Sequence, residues 1–281
     1  MNYGSRIVVN SILCFACSVA SLVCPNMAVA QDGPMVTFDI DPASVTLHEP
    51  AYAVFAVRNT RTEPVQFDLG FDRKEAFRFA IVRPDGRRVA IPKKGSEGFG
   101  RVGKVSVRAG ETYTQRLLLN EWYAFDSPGD YTIEISVDAT FTTPSGRKLN
   151  PSGASVVRSL TVLPRNASVL ERICRGLAEA ARSGDSVEAQ IEAARSLAYV
   201  QDPVAVPSLV QVLRTTRALQ IYAVDGLARI GDQAAVDALI SALSSNDAEL
   251  KSAVTGGLKR IEAGTRDQAV RNRIQTALRQ P

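Results

Sequence analysis

The run Gly98-Phe99-Gly100-Arg101-Val102-Gly103-Lys104-Val105 has the G-x-G-x-x-G-x-V spacing of a glycine-rich loop that covers nucleotide phosphates. Glycines at those positions let backbone N–H groups approach an anion with no Cβ in the way. The same run falls one residue short of a phosphate-binding loop, because Val105 stands where a Ser or Thr hydroxyl must hold magnesium. Neither chemistry finds its partners in the chain. No H-R-D or D-F-G follows, and no helical pattern opens after Gly103 to aim N–H groups at phosphate. The stretch therefore reads as a loop between strands. His48 is the single histidine, which supports neither general acid–base catalysis nor a zinc site. There is no calcium-loop spacing of acidic residues and no G-x-S-x-G elbow. The sequence thus offers no catalytic, cofactor-binding or metal-binding constellation.

Charge is the other feature with chemical content. From Asp72 to Arg116 there are twelve Lys or Arg against five Asp or Glu, whereas the whole chain carries 33 basic and 29 acidic residues. Such a basic face suits an anionic polymer, with Lys93, Lys94, Arg101 and Lys104 as contacts. It equally suits solvated strand faces and edges protected by charge. The mild overall balance gives no reason to expect nucleic acid. Trp122, Tyr123 and Phe125 could stack on a sugar, but their position ahead of a strand suits a core.

What must position these residues begins with a leader. Arg6 precedes an apolar run from Ile7 to Val23, then Ala28-Val29-Ala30. These are the marks of a secretory signal in residues 1–30, cleaved near Ala30, and they predict an exported chain, periplasmic or extracellular, with no membrane anchor after cleavage. Cys14, Cys17 and Cys24 lie in the leader, so Cys174 alone remains and no internal disulfide is possible. Cys174 sits on an apolar helical stripe and reads as a core residue.

The rest of the chain changes character near Pro164. Every Phe lies at or before Phe141, the single Trp is Trp122, and beyond Pro164 the aromatics are Tyr199 and Tyr222. Residues 31–164 carry about nine alternating runs. Examples are Met35 to Ile40, Tyr52 to Val57, Phe77 to Val82 and Tyr131 to Val137. Pro84-Asp85-Gly86 marks a hairpin. Ser127-Pro128-Gly129-Asp130-Tyr131 resembles the tyrosine corner of Ig-like sandwiches, where a Tyr hydroxyl ties the strand to an upstream backbone group.

Residues 165–281 follow a helical period, as in Leu170, Ile173, Cys174, Leu177, Ala178 and Ala181. Ser168 with Glu171, and Thr265 with Gln268, have the spacing of capping boxes. A repeat is visible: Leu197, Val200, Asp202, Ala205, Val206 and Leu209 recur as Leu227, Ile230, Asp232, Ala235, Val236 and Leu239. The stretch Leu227 to Ile240, with Ile230-Gly231-Asp232 before Ala235-Val236, resembles short HEAT-like repeats of the phycobilisome-lyase-like type. Where such repeats usually carry Arg, this chain has Gln220 and Lys251. Gly256-Gly257 interrupts the last stripe, either for close helix contact or as a weak point.

The expected fold is a multidomain β + α chain: an antiparallel Ig-like β-sandwich followed by a short HEAT-like α-solenoid. The resemblance implies a non-catalytic scaffold that binds another protein, with Gln190, Tyr222 and Lys251 as contacts on the second helices. The alternative is anionic glycan or envelope-polymer binding by the basic sandwich face.

Overall fold

Alternation of side chains gives most strands of the first half one buried face, and those faces meet in a single apolar core. The computed structural model describes residues 33–92 and 103–279, so the leader and Lys93, Lys94 and Arg101 lie outside the described residues. The strands described are β1 (Met35–Ile40), β2 (Ser44–Thr46), β3 (Tyr52–Arg58), β4 (Val65–Asp68), β5 (Phe77–Val82), β6 (Arg88–Ala90), β7 (Lys104–Val107), β8 (Thr112–Leu118), β9 (Gly129–Val137), β10 (Phe141–Thr142), β11 (Lys148–Leu149) and β12 (Ser155–Leu163). They form three sheets, in the orders β1-β3-β8, β11-β10-β4-β7 and β2-β12-β9-β5-β6. Each pairing of these strands is antiparallel except that of β2 with β12.

Aromatic rings knit the sheets together. Phe55 lies 5.1 Å from Phe38 and 5.0 Å from Phe77, ring centre to ring centre, the latter edge-on. The Tyr131 hydroxyl donates to the Ser127 carbonyl at 2.8 Å, as the corner motif requires. Trp122 stacks on Phe79 and Phe125 is buried, so this aromatic group serves the core rather than offering a free platform.

The crossing into the helical half is pinned on both sides by one hydroxyl. Thr46 donates to the Pro164 carbonyl at 2.7 Å and accepts from the Asn166 N–H at 2.9 Å. Seven helices follow among the described residues: α1 (Ala167–Ser183), α2 (Val187–Ala198), α3 (Val206–Val212), α4 (Arg217–Ile230), α5 (Gln233–Ala242), α6 (Ala248–Gly264) and α7 (Gln268–Arg279). α2, α4 and α6 lie side by side in one layer, and α1, α3, α5 and α7 in the other. Asp202 and Asp232 cap the segments that follow them, as their place in the repeat predicts. Gly231 makes its turn at φ 63°, where a side chain would be strained. Two caps differ from expectation. Asn166, not Ser168, accepts from the Val169 N–H, and Asp267, not Thr265, accepts from Ala269 and Val270. In both cases the helix starts at the residue after the cap that wins.

The paired glycines of α6 have separate roles. Gly257 is buried, and a Cβ there would lie 3.1 Å from Val224 Cγ1, so α6 and α4 approach closely at this point. Gly256 is exposed with open space around it. Gly256→Ala is therefore expected to stabilise the protein by about 0.5–1 kcal/mol through helix propensity. Gly257→Ala should give none of that gain. Thermal unfolding of the two variants checks the contrast.

Candidate functional site

The β-rich part is seated on α2, and residues 31–281 group as one compact unit. The buried Tyr52 on β3 points its hydroxyl at Ser196 Oγ, 2.7 Å away. Ser196 spends its own proton on the Glu192 carbonyl one turn back, which leaves the oxygen free to accept from Tyr52. Burial raises the Tyr52 pKa, keeping the hydroxyl a donor. The Arg116 guanidinium covers the Tyr52 ring at 3.9 Å and pairs with Glu192 at 2.9 Å. Below this contact, Arg165 grips Asp202 with two hydrogen bonds of 2.5 and 2.9 Å. Asp202 is only 2 % exposed, and it also accepts from the Val204 N–H at 3.0 Å.

A charged lattice lines the same seam. Lys74 sits 2.6 Å from Glu121 and 3.5 Å from Asp72. Arg195 of α2 reaches Glu121 at 3.5 Å, Asp72 at 3.8 Å and the Tyr222 hydroxyl at 3.3 Å. Asp72 and Arg73 are successive non-glycine residues at φ 48° and 56°. That costly conformation holds Asp72 between the two cations. A cleft of about 290 Å³ opens here, lined by Tyr52, Asp72, Lys74, Arg116, Glu188 and Arg195 among others. Its charges are of both signs, and Asp72, Lys74, Arg116 and Arg195 are already paired, which suits a mortised joint better than a ligand cavity.

Beyond the joint, one stripe of the α2–α4–α6 layer runs out into solvent. Ile191, Ile221 and Ser252 occupy equivalent repeat positions, at offsets of 30 and 31. Ile191 lies at the seam and is half buried, whereas Ile221 is 53 % exposed. Around Ile221, Arg217 pairs with Glu249 and Asp225 pairs with Arg260, the latter at 2.5 Å, so ion pairs link α4 to α6 on either side of it. Ala253 lines a small hollow beside it.

The residues singled out by sequence are scattered. Lys93, Lys94 and Arg101 lie outside the described residues. Lys104 is exposed on β7, opposite Asp68 in register. Gln190 donates to the Gly184 carbonyl at 3.1 Å, and Gln220, at the same repeat position, donates to the Leu213 and Thr215 carbonyls. Tyr222 joins the seam through Arg195. Lys251 is exposed and lines a groove between α5, α6 and α7. Cys174 is fully buried, and burial pushes its thiol up to about 12. Among the described residues no cluster of His, Cys, Asp or Glu could hold a metal ion, and no helix is long and apolar enough to cross a membrane. Tyr52, Arg116, Arg165, Ser196 and Ile221 escaped the sequence reading.

Residues 174–259 match the family model for HEAT repeats. No curated protein matches the chain. Among solved structures, an engineered protein is similar at 24% identity, over 40% of this chain and 63% of that one, with a TM-score of 0.26. The alkylpurine DNA glycosylase AlkC of Pseudomonas fluorescens, bound to DNA, is similar at 15% identity, over 46% of this chain and 30% of that one, with a TM-score of 0.23. The bacterial hydrophobin BslA is similar at 15% identity, over 48% of this chain and 96% of its own, with a TM-score of 0.23. Overlaps at these scores carry no argument about fold or activity. The helical half is thus a HEAT-like repeat region behind a β-rich one. HEAT repeats stack into extended surfaces that generally serve as protein-interaction scaffolds.

Proposed function

We propose that the chain is an exported, non-catalytic docking protein. An Ig-like β-sandwich (residues 31–164) is clamped onto the first helix pair of a short HEAT-like array (residues 165–281) and leaves the later helices open to a protein partner. The leader in residues 1–30 supports export. The Tyr131 tie supports the Ig-like reading, and the Ile230-Gly231-Asp232 core supports the phycobilisome-lyase-like type of repeat. The observation that carries the function is Ile221. It is a large apolar side chain more than half exposed, flanked by two ion pairs, at the repeat position whose α2 counterpart lies at the seam. An apolar centre with a charged rim is the anatomy of a protein interface.

Of the cations named for the anionic-polymer alternative only Lys104 lies among the described residues, and most of the other described cations between Asp72 and Arg116 are neutralised. Lys74, Arg78, Arg83, Arg88 and Arg116 are all matched by carboxylates there.

The test is crosslinking capture from envelope extract by the mature chain and by Ile221→Asp. Loss of a discrete captured protein by tenfold or more, with an unchanged melting temperature, is the expected result. Equal capture by both, or capture only of heterogeneous anionic material that high salt abolishes, would overturn the reading.

A further inference from the structure

The repeat register identifies which face of each helix in the α2–α4–α6 layer meets the next. On α2 the positions are Gln190, Ala194 and Ala198; a Cβ added to Gly226 of α4 would meet the Ala198 Cα at 2.9 Å. On α4 they are Gln220, Val224 and Ala228; a Cβ on Gly257 of α6 would meet Val224 and Ala228 at 3.1 and 3.6 Å. On α6 the same positions are Lys251, Thr255 and Lys259. Among the described residues no further helix of this layer follows α6, and α5 and α7 border these positions only from the other layer. A groove of about 490 Å³ runs there, with Ile240, Leu243 and Leu278 on its apolar side and Lys251, Thr255 and Lys259 on the other.

The charge of this groove sets it apart. Lys251 and Lys259 are the only lysines in residues 165–281, and both line it. No carboxylate lines it. The nearby arginines Arg217, Arg260 and Arg273 are each paired with an acidic residue, but no ion pair to either lysine is present among the described residues. The two ammonium groups are carried eight residues apart on one helix, about 12 Å along its axis.

We propose that this groove docks an acidic amphipathic helix of a partner protein, lying on α6 as the next member of the α2–α4–α6 layer. Its apolar stripe would cover Ile240, Leu243 and Leu278. Carboxylates about two turns apart would meet Lys251 and Lys259, in the helix-in-groove manner. The site is separate from the face around Ile221.

The probes are two fluorescein-labelled 16-residue helical peptides with the same Leu/Ala stripe. One carries Glu at two rim positions seven residues apart, and the other carries Lys at both. Anisotropy titration of the mature chain at low salt should show the Glu peptide binding at least tenfold more tightly than the Lys peptide. Lys251→Glu with Lys259→Glu should reverse that preference. Lys251→Gln with Lys259→Gln should abolish it, and Ile221→Asp should leave it unchanged. Circular dichroism melts confirm that each variant is folded. The proposal is overturned if wild type binds neither peptide or both alike, which would make these lysines a solvated polar cap. It is also overturned if the charge reversal instead abolishes self-association in sedimentation, which would assign the groove to a second copy.

Discussion

Asp202→Ala lowers stability by about 2–3 kcal/mol. Roughly 1 kcal/mol comes from the lost cap on the Val204 N–H. The remainder comes from the charge-assisted pair with Arg165, taken at the low end because Arg165 is 47% exposed. Urea unfolding monitored by helical circular dichroism measures the loss. Asp202→Asn, which keeps a good cap but no charge, should lose less. The pH dependence has a definite sign. The Arg165 hydrogen bonds, then the Val204 N–H, hold the Asp202 carboxyl below its ordinary value, and burial only partly opposes them. A carboxyl depressed in the folded state stabilises fully above its unfolded pKa of about 3.9 and loses that contribution as pH falls through the lower folded value. The gap between wild type and Asp202→Asn should therefore be constant from neutral pH down to about 5 and close below about 4.

Gly226→Ala is expected to destabilise by about 2 kcal/mol, although alanine is the better helix former by about 1 kcal/mol. The new Cβ would lie 2.8 Å from Leu209 Cδ2 and 2.9 Å from the Ala198 Cα. Leu209 can rotate, but a backbone atom of α2 cannot move without shifting the layer. A melting temperature at or above wild type would show that α2 and α4 can separate at this point. The opposite sign expected at the exposed Gly256 makes the pair a control for propensity.

Much of the secondary structure was legible because it rests on local pattern. β1 and β5 occupy the alternating runs, and the thirty-residue offset recovered the helices and the caps at Asp202 and Asp232. β2, β10 and β11 were not legible, since strands of two or three residues exist only through their neighbours, and β2 is held by a parallel partner more than a hundred residues away. The caps at Asn166 and Asp267 were not legible from the box spacing, because asparagine two residues before Ser168 and aspartate two residues after Thr265 cap as well as serine. The seam was invisible for a different reason. Tyr52 reads as one more strand aromatic, and nothing local tells it to leave its hydroxyl for a serine 144 residues later. Ile221 hides among the apolar residues of α4, and its exposure follows only from where the β-rich part stops.

The joint of Tyr52 and Arg116 with α2 has a consequence for how the chain comes apart. Two apolar cores exist, one among the strands and one among the helices. Yet a buried hydroxyl, from Tyr52 to Ser196, and a stacked guanidinium, Arg116 paired with Glu192, bridge them. Opening either core strands polar groups of the other away from both water and partner. The two halves are therefore expected to melt in one cooperative transition, with strand and helix signals coincident in a thermal scan. Slow amide exchange in α2 then reports the integrity of strands well over a hundred residues upstream.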